Sequence, residues 1–290
     1  MDILTDFFKS LNKSIEYIDS TNYKSNTLRF LKENNGVSGK CLVLGAGNLS
    51  DVPLDYLVSN FEEVILSDID EAAINQNLDL SFKNIQIIKC EYTGLEGAGL
   101  FNGLLNEMNI TTDKSRLVEF LNNIIDKDYN QKIKSQFDDK YDLIYISPIY
   151  TQLIYKQILM IFDLARDNGY PEHIIKFLET EIMNKMVSII DRFNNLVKVL
   201  LTKTGEVIVF SDIFEGREND DFMIEIIKNS TNQEKLTEIY EDYFNTYGFG
   251  LGDYGLYSLT QSFTVKDEEY FLWPLNKDKY YLVKGVYLSR

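Results

Sequence analysis

Short, nearly continuous apolar runs recur along the chain, between longer segments in which apolar residues repeat at helical spacing. The runs lie at 40–44, 64–66, 85–89, 141–146 and 205–212. Buried parallel strands carry continuous apolar residues, and the helices between such strands make the crossover connections. The pattern therefore predicts an α/β fold with a doubly wound, mostly parallel sheet and helices on both of its faces.

Two aromatic-rich segments follow the last of these runs. Residues 270–274 and 280–288 are joined by Asn276-Lys277-Asp278-Lys279, which is typical of a turn. They predict an antiparallel C-terminal hairpin and bring the sheet to seven strands. Helices are predicted at 24–33, 150–166, 171–200, 219–228 and 232–244.

The start of the chain is predicted to be helical, because apolar residues recur at helical spacing over residues 2–19. We interpret residues 1–38 as an N-terminal helical cap and residues 39–290 as the main domain. An insert at about 94–140 is far longer than a connection between a strand and a helix requires. Its glycine-rich start at 94–103 is expected to be mobile, and we hypothesise that it helps to shape a substrate site.

The first apolar run breaks abruptly into Gly45-Ala46-Gly47, which is typical of a strand that leads into a tight loop. Glycine has no Cβ, so a ligand can lie directly against the backbone there. A helix predicted to begin near Asp51 directs its free N–H groups at the same space. A dinucleotide fingerprint requires a further glycine where Ser50 stands, which disfavours a nicotinamide or flavin site. An ordinary tight turn is the alternative interpretation.

Polar side chains follow three other apolar runs, where the carboxyl ends of parallel strands meet at one sheet edge. Asp68, with Ile69 next to it, stands about twenty residues after the glycine loop, where a carboxylate can accept hydrogen bonds from ribose hydroxyls. Asp70 is expected to cap the following helix. The next two runs end in Glu91-Tyr92 and Ser147-Pro148-Ile149-Tyr150. The sequence predicts a ligand site at this edge.

On these motifs, residues 38 to 215 resemble the core of the class I S-adenosylmethionine-dependent methyltransferase superfamily. That family has a glycine-rich loop after its first strand, an acidic ribose ligand after its second and an acidic residue beside adenine after its third. The resemblance implies S-adenosylmethionine as cofactor. It assigns the cofactor to Gly45, Ala46, Gly47, Asn48, Asp51, Asp68, Ile69, Glu91, Tyr92 and Ser147. It makes Tyr150 the candidate catalytic residue, either as a base or as a wall that aligns the methyl acceptor.

The sequence departs from the family pattern in two places. Val43 replaces an acidic residue that usually precedes the first glycine by two positions, and Leu49 stands where a third glycine is common. Asn48 or Asp51 is a candidate to replace the lost contact to the methionine amino group. Residues 147–150 also resemble the (Asp/Asn/Ser)-Pro-Pro-aromatic signature of members that methylate amino groups. The family's last strand is inserted antiparallel between strands five and six, and we expect the same here.

The composition of the chain restricts the kinds of molecule that the protein is expected to bind. There are 29 Lys and Arg against 45 Asp and Glu, a net charge of −16, which disfavours a nucleic-acid acceptor and favours a small molecule or a basic peptide. We expect neither a signal peptide nor a membrane span. Cys41 and Cys90 lie at predicted buried strands, which is typical of reduced thiols in an intracellular protein, and we expect a cytoplasmic location. The sequence leaves a homodimer open.

Two further features have competing interpretations. The sole histidine, His173, stands in the first turn of a predicted helix, where a solvated or capping role is favoured over catalysis. The glycine- and aromatic-rich segment 247–257 is either a mobile lid or a loop whose aromatic residues fill the edge of the core.

Three functions are considered. The first is a small-molecule methyltransferase. The second is a non-catalytic binding or interaction protein on the same fold, which the loss of the acidic residue at Val43 favours. The third is an aminopropyl-type transferase, which ranks last because the end of strand four lacks an acidic cluster.

Overall fold

A seven-stranded sheet forms the centre of the computed structural model, which describes residues 21–79, 81–276 and 279–290. The helix predicted at 2–19 lies outside these residues. The strands are β1 (Lys40–Leu44), β2 (Glu63–Asp68), β3 (Ile85–Lys89), β4 (Tyr141–Ile146), β5 (Leu201–Gly216), β6 (Thr264–Asn276) and β7 (Lys279–Ser289). Their order across the sheet is β3-β2-β1-β4-β5-β7-β6.

Strands β1 to β5 are parallel, whereas β7 is antiparallel to both of its neighbours, β5 and β6. The last strand is thus inserted between strands five and six. This order is the one that the resemblance to class I methyltransferases implies, and the predicted fold is confirmed.

Helices connect the strands and cover both faces. They are α1 (Thr21–Asn34), α2 (Leu54–Asn60), α3 (Glu71–Asn77), α4 (Leu100–Ile110), α5 (Lys114–Ile125), α6 (Asn130–Lys134), α7 (Tyr155–Asp167), α8 (Glu172–Leu200), α9 (Asp221–Lys228), α10 (Gln233–Tyr247) and α11 (Leu251–Thr260). A 3₁₀ turn covers Tyr150–Gln152. None of these described helices has the length and the apolar run that a membrane crossing needs.

Alternation along β5 shows how the sheet separates two apolar layers. Val207 and Val209 pack in the layer that contains α8 to α11. Ile208 and Phe210 face the opposite layer, with α1, α2 and α3. A third apolar cluster lies among α4, α5, α7 and α8 and includes the helices of the 94–140 insert. The sheet is therefore doubly wound, as predicted.

The first residues of α2 and α3 can be compared with the helix starts that the sequence predicts. Asp70 caps α3 as expected, because its Oδ1 accepts a hydrogen bond from the N–H of Ala73 at 3.1 Å. The helix expected from near Asp51 begins only at Leu54. Pro53 precedes it as the N-cap, and its ring fixes φ at −78° before the first turn.

The predicted loop at 247–257 is mostly helical, which corrects that prediction. α10 reaches Tyr247, and α11 begins at Leu251. The glycines of α11 serve close packing: a Cβ at Gly252 would lie 2.2 Å from the carbonyl oxygen of Asp212. A Cβ at Gly255 would lie 2.4 Å from the ring of Tyr150.

The glycine-rich start of the insert is also partly helical. Residues 100–103 form the first turn of α4, and a Cβ at Gly103 would lie 2.6 Å from the ring of Phe120. Only residues 94–99 remain in turns. A substrate-shaping role for this segment stays a prediction, as does the domain boundary at residue 38.

Candidate active site

The glycine loop after β1 is tightly constrained at its first glycine. Gly45 has a left-handed φ of +77°, and a Cβ there would lie 2.2 Å from Cγ2 of Ile149. Its N–H donates to the carbonyl oxygen of Ser67 at 3.1 Å and to the hydroxyl of Tyr92 at 3.0 Å. These contacts tie the loop to the ends of β2, β3 and β4, so Gly45 determines where the loop lies.

The second glycine has no close neighbour among the described residues. Gly47 also has a positive φ, +51°, but a Cβ there would meet no described atom within 4 Å. Its N–H donates to Oδ2 of Asp68 at 2.8 Å. The backbone of Gly47 is therefore open to a ligand on the side that a side chain would occupy, beside the carboxylate at the end of β2.

Asp68 is positioned by two backbone donors. Its Oδ2 accepts from Gly47 and its Oδ1 accepts from the N–H of Asp70 at 2.9 Å. Burial raises the pKa of this carboxyl. Each carboxylate oxygen has two lone pairs, so both oxygens retain the capacity to accept a hydroxyl hydrogen from a ribose.

Leu49 has the backbone conformation of a glycine. Its φ is +64°, and its N–H donates to the carbonyl oxygen of Ala46 at 3.0 Å. A left-handed conformation costs an ordinary residue about 1–2 kcal/mol. The loop therefore keeps a glycine-like shape at the position where the sequence lacks the third glycine. Oδ1 of Asn48 accepts a hydrogen bond from the N–H of Ser50 at 3.1 Å.

Val43, which stands where the family usually has an acidic residue, lies inside the sheet. Val43 is fully buried in the middle of β1, next to Leu66 of β2 and Tyr145 of β4. A carboxylate at this position would be buried among apolar side chains, at a large cost in solvation. The loop therefore lacks that contact, and any replacement has to come from elsewhere.

Asp51 lines a cavity of about 400 Å³ together with Lys24 of α1 and Leu49. The lining of this cavity does not include Gly47 or Asp68. Burial, reinforced by the charge of Asp68 and opposed by that of Lys24, raises the pKa of Asp51 to about 6. Asp51 thus lines this cavity and also lies within reach of the charge of Asp68.

Asp51 makes the stability of the ligand-free protein depend on pH. Because its folded-state pKa is raised, the folded state binds the proton more tightly than the unfolded state, and stability falls as pH rises from about 4 to 6. Asp51→Asn is expected to raise the free energy of unfolding by on the order of 2 kcal/mol at pH 7.5 and much less at pH 4. Urea unfolding at the two pH values measures this. The exposed Asp55→Asn is the control, and an equal gain for both variants would contradict the prediction.

Glu91 and Tyr92 organise the loop after β3. Oε1 of Glu91 accepts from the N–H of Thr93 at 2.7 Å and from its hydroxyl at 2.5 Å, and Oε2 accepts from the N–H of Glu96 at 3.2 Å. The Tyr92 hydroxyl donates to the carbonyl oxygen of Ser67 at 2.7 Å while it accepts from Gly45. Tyr92 therefore supports the glycine loop from within the core and does not face open space.

Ser147 and Ile69 complete the predicted cofactor set. Ser147 is buried, and its N–H donates to the carbonyl oxygen of Leu44 at 3.0 Å. Its Oγ is also buried and has no hydrogen-bond partner within the described residues, so its hydrogen-bonding capacity is unused there. Ile69 packs against the apolar cluster of the insert.

Tyr150 lies in the core, away from an open surface. It is fully buried, its hydroxyl donates to Oδ1 of Asn194 at 2.9 Å, and its ring packs on Phe193 and Gly255. Burial raises the pKa of Tyr150, which disfavours loss of its proton. The arrangement suits a structural support better than a base.

Sequence reasoning missed a polar group next to this edge. Asp212 near the end of β5 is buried, and its Oδ2 accepts from the hydroxyl of Thr151 at 2.8 Å. Lys156 of α7 lies close enough for its charge to lower the pKa of Asp212. The signal was available, since Asp212 ends an apolar run just as Asp68 does.

The remaining candidates are peripheral or structural. His173 is exposed in the first turn of α8. Cys41 and Cys90 are buried free thiols, and burial raises the pKa of both. Their burial agrees with the sequence prediction and leaves no reactive thiolate at the site.

Comparison with known proteins gives distant structural likenesses. No family model matches the chain, and no curated protein matches its sequence. It is similar to N-methyltransferase NodS from Bradyrhizobium japonicum WM9 in complex with S-adenosyl-L-homocysteine, at 11% identity and a TM-score of 0.41, over 96% of this chain and 97% of that one.

Two other solved structures are similar to the same degree. A SAM dependent methyltransferase from Aquifex aeolicus has 12% identity and a TM-score of 0.36, over 92% of this chain and 88% of that one. The fibrillarin pre-rRNA processing protein of Methanococcus jannaschii has 14% identity and a TM-score of 0.39, over 96% of this chain and 84% of that one. Likenesses this distant carry no conclusion about activity.

Proposed function

We propose that the protein is an S-adenosylmethionine-dependent methyltransferase. The observation that supports this most strongly is the placement of Asp68, whose carboxylate is held by the N–H of Gly47 at 2.8 Å. The open side of Gly47 lies beside it, at the carboxyl edge of a sheet with the strand order β3-β2-β1-β4-β5-β7-β6. Ligands of open α/β sheets bind at this edge.

The residues at the edge fit the parts of this cofactor. Asp68 would accept hydrogen bonds from the two ribose hydroxyls, and the open backbone at Gly47 would lie against the chain that carries the sulfur. Glu91 would lie beside the adenine. The hydroxyl of Ser147, which has no partner among the residues that the structure describes, would donate to a polar atom of the ligand. When bound, the cofactor supplies a methyl group activated by a positively charged sulfur.

The protein's own part in such a reaction is mainly positioning. In-line methyl transfer needs the acceptor held opposite the leaving sulfur, with water excluded. We propose that Tyr150 supports the acceptor side by fixing the turn at 150–152 against α8 and α11, through Asn194 and Gly255. This contact makes it a positioning residue.

We propose a small molecule as the methyl acceptor, with a basic peptide as the alternative. A net charge of −16 attracts cations and repels phosphate backbones, so a nucleic-acid acceptor is disfavoured. A cytoplasmic location fits the two buried free thiols. A homodimeric state is compatible with this proposal.

Asp68→Ala is expected to weaken binding of S-adenosylmethionine and S-adenosylhomocysteine by about tenfold to a hundredfold. Hydrogen bonds to a charged group contribute about 1.5–3 kcal/mol, which corresponds to that range of dissociation constants. Calorimetric titration of wild type and variant measures the effect. Glu62→Ala removes an exposed carboxylate just before the other end of β2 and is expected to bind like wild type. Absence of binding by wild type would refute the proposed function.

A non-catalytic protein on the same fold is the second candidate. The observation that favours it is Val43, whose full burial in β1 leaves the loop without the family's acidic residue. Formation of S-adenosylhomocysteine in the presence of an acceptor separates an enzyme from a binding protein. Formation of methylthioadenosine would instead indicate the aminopropyl-type transferase.

A further inference from the structure

A buried carboxylate near the end of β5 has one oxygen without a hydrogen-bond donor. Asp212 is 8% exposed, and its Oδ2 accepts from the Thr151 hydroxyl at 2.8 Å. Its Oδ1 is buried and has no partner within the described residues. A buried acceptor without a donor costs about 1–3 kcal/mol, so its presence in a folded protein calls for an explanation.

The position of Asp212 places it beside the candidate cofactor site. β5 lies next to β4, with Val209 paired to Ile146, so Asp212 lies beyond the end of β4. β4 in turn lies next to β1. Neighbouring strands are about 4.8 Å apart, which puts Asp212 roughly 10 Å from the glycine loop. This distance suits a group that binds the second substrate.

The groups around Asp212 act on its pKa in opposite directions. Burial and the negative charge of Glu215 raise the pKa, while the hydrogen bond from Thr151 and the positive charge of Lys156 lower it. Burial lowers the pKa of Lys156, and the charges of Asp212 and Glu215 oppose that shift. Oδ1 of Asp212 has no hydrogen-bond donor within the described part of the chain, although protein atoms enclose it. An N–H donor at Oδ1 would supply the missing hydrogen bond.

We propose that Asp212 binds the amino group of the methyl acceptor, which makes the substrate a primary or secondary amine. This inference rests on the proposed function. A cationic amine first passes one proton to the Asp212 carboxylate, which frees the nitrogen lone pair. That lone pair forms the new N–C bond, the electrons of the broken C–S bond remain on sulfur as a neutral thioether, and the methylated product leaves as an ammonium ion. Strong negative net charge draws cationic amines toward such a site.

The test measures S-adenosylhomocysteine formation with matched probes. Butylamine, putrescine and phenethylamine are compared with butanol, butanediol, phenethyl alcohol and butyric acid. Wild type is expected to turn over amines only. In Asp212→Asn, kcat/KM for amines is expected to fall by at least about a hundredfold, the usual contribution of a proton acceptor, with the Kd for S-adenosylmethionine within about threefold of wild type.

Two further variants separate the role of the Asp212 carboxylate from general effects of substitution. Thr151→Val retains the carboxylate but removes the hydrogen bond that orients it, and a roughly tenfold loss in kcat/KM is expected. Glu206→Gln removes a carboxylate at the other end of β5, where Oε2 accepts from the N–H of Gly36, and is expected to leave turnover unchanged.

The outcomes are distinct. Turnover of alcohols or acids, amine turnover retained in Asp212→Asn, or cofactor binding without amine turnover would each overturn the inference while the proposed function stands. A loss of cofactor affinity in Asp212→Asn equal to its loss of turnover would also overturn it, because Asp212 would then hold the cofactor. Absence of cofactor binding by wild type would remove the proposed function and the inference with it.

Discussion

Gly45→Ala is expected to lower the free energy of unfolding by about 2–5 kcal/mol, from backbone strain and overpacking together. The new Cβ would lie 2.2 Å from Cγ2 of Ile149 and 3.4 Å from Cβ of Ser147, at a φ of +77°. Ile149 is buried and cannot swing away cheaply. The loop would therefore shift, and cofactor binding is expected to be lost with it. Urea unfolding and calorimetric titration measure the two effects.

Gly47→Ala is the matched control for this prediction. Gly47 lies in the same left-handed φ region, but within the described ranges no atom lies closer than 4 Å to the new Cβ. We expect only the strain, about 1–2 kcal/mol, and a loss of cofactor affinity because the methyl group enters the open space. Equal stabilities for the two variants would show that contact with Ile149 is unimportant. Ile149→Ala in the Gly45→Ala background removes the clashing methyl and should restore part of the stability.

Gly255→Val is expected to destabilise the protein by about 3 kcal/mol through overpacking. A Cβ at this position would lie 2.4 Å from Cγ and Cδ1 of Tyr150. That ring is held on one side by Phe193 and at its hydroxyl by Asn194, whose Nδ2 also donates to the carbonyl oxygen of Gly255 at 3.0 Å. Neither partner can move without breaking this network, so α11 would have to lift from the sheet.

Tyr257→Val is the control variant for Gly255→Val, because it introduces valine at an exposed position of the same helix. Tyr257 is 52% exposed, so its replacement tests helix propensity with little change in the core. It is expected to cost less than about 1 kcal/mol. If urea unfolding gave Gly255→Val a cost no greater than this, the packing of α11 on Tyr150 would be refuted.

The sequence predicts the sheet and the position of Asp68 because both depend on short-range patterns. A continuous apolar run marks a buried parallel strand, and parallel strands bring their carboxyl ends to one edge. The hydrogen bond from Gly47 to Asp68 follows from that geometry. The Asp70 cap is more local still, since donor and acceptor are three residues apart.

Predictions that depend on distant partners fail or remain incomplete. The environment of Tyr150 is set by Asn194 and Gly255, which are 44 and 105 positions later and leave no local trace. The glycines of 247–257 indicate flexibility in sequence, yet two of them allow α11 to approach β5 and the turn at Tyr150. Glycine serves both flexible loops and close packing between elements, so only the tertiary structure shows which of the two roles a given glycine has.

The insertion of β7 between β5 and β6 has a consequence for biosynthesis. β5 spans 16 residues and pairs on one side with β4 and on the other with β7, which follows every other strand of the described sheet in the chain. Until β7 is made, the growing chain carries a long, largely apolar edge that can pair with another nascent chain. The edge of β5 is therefore covered only after β7 has left the ribosome.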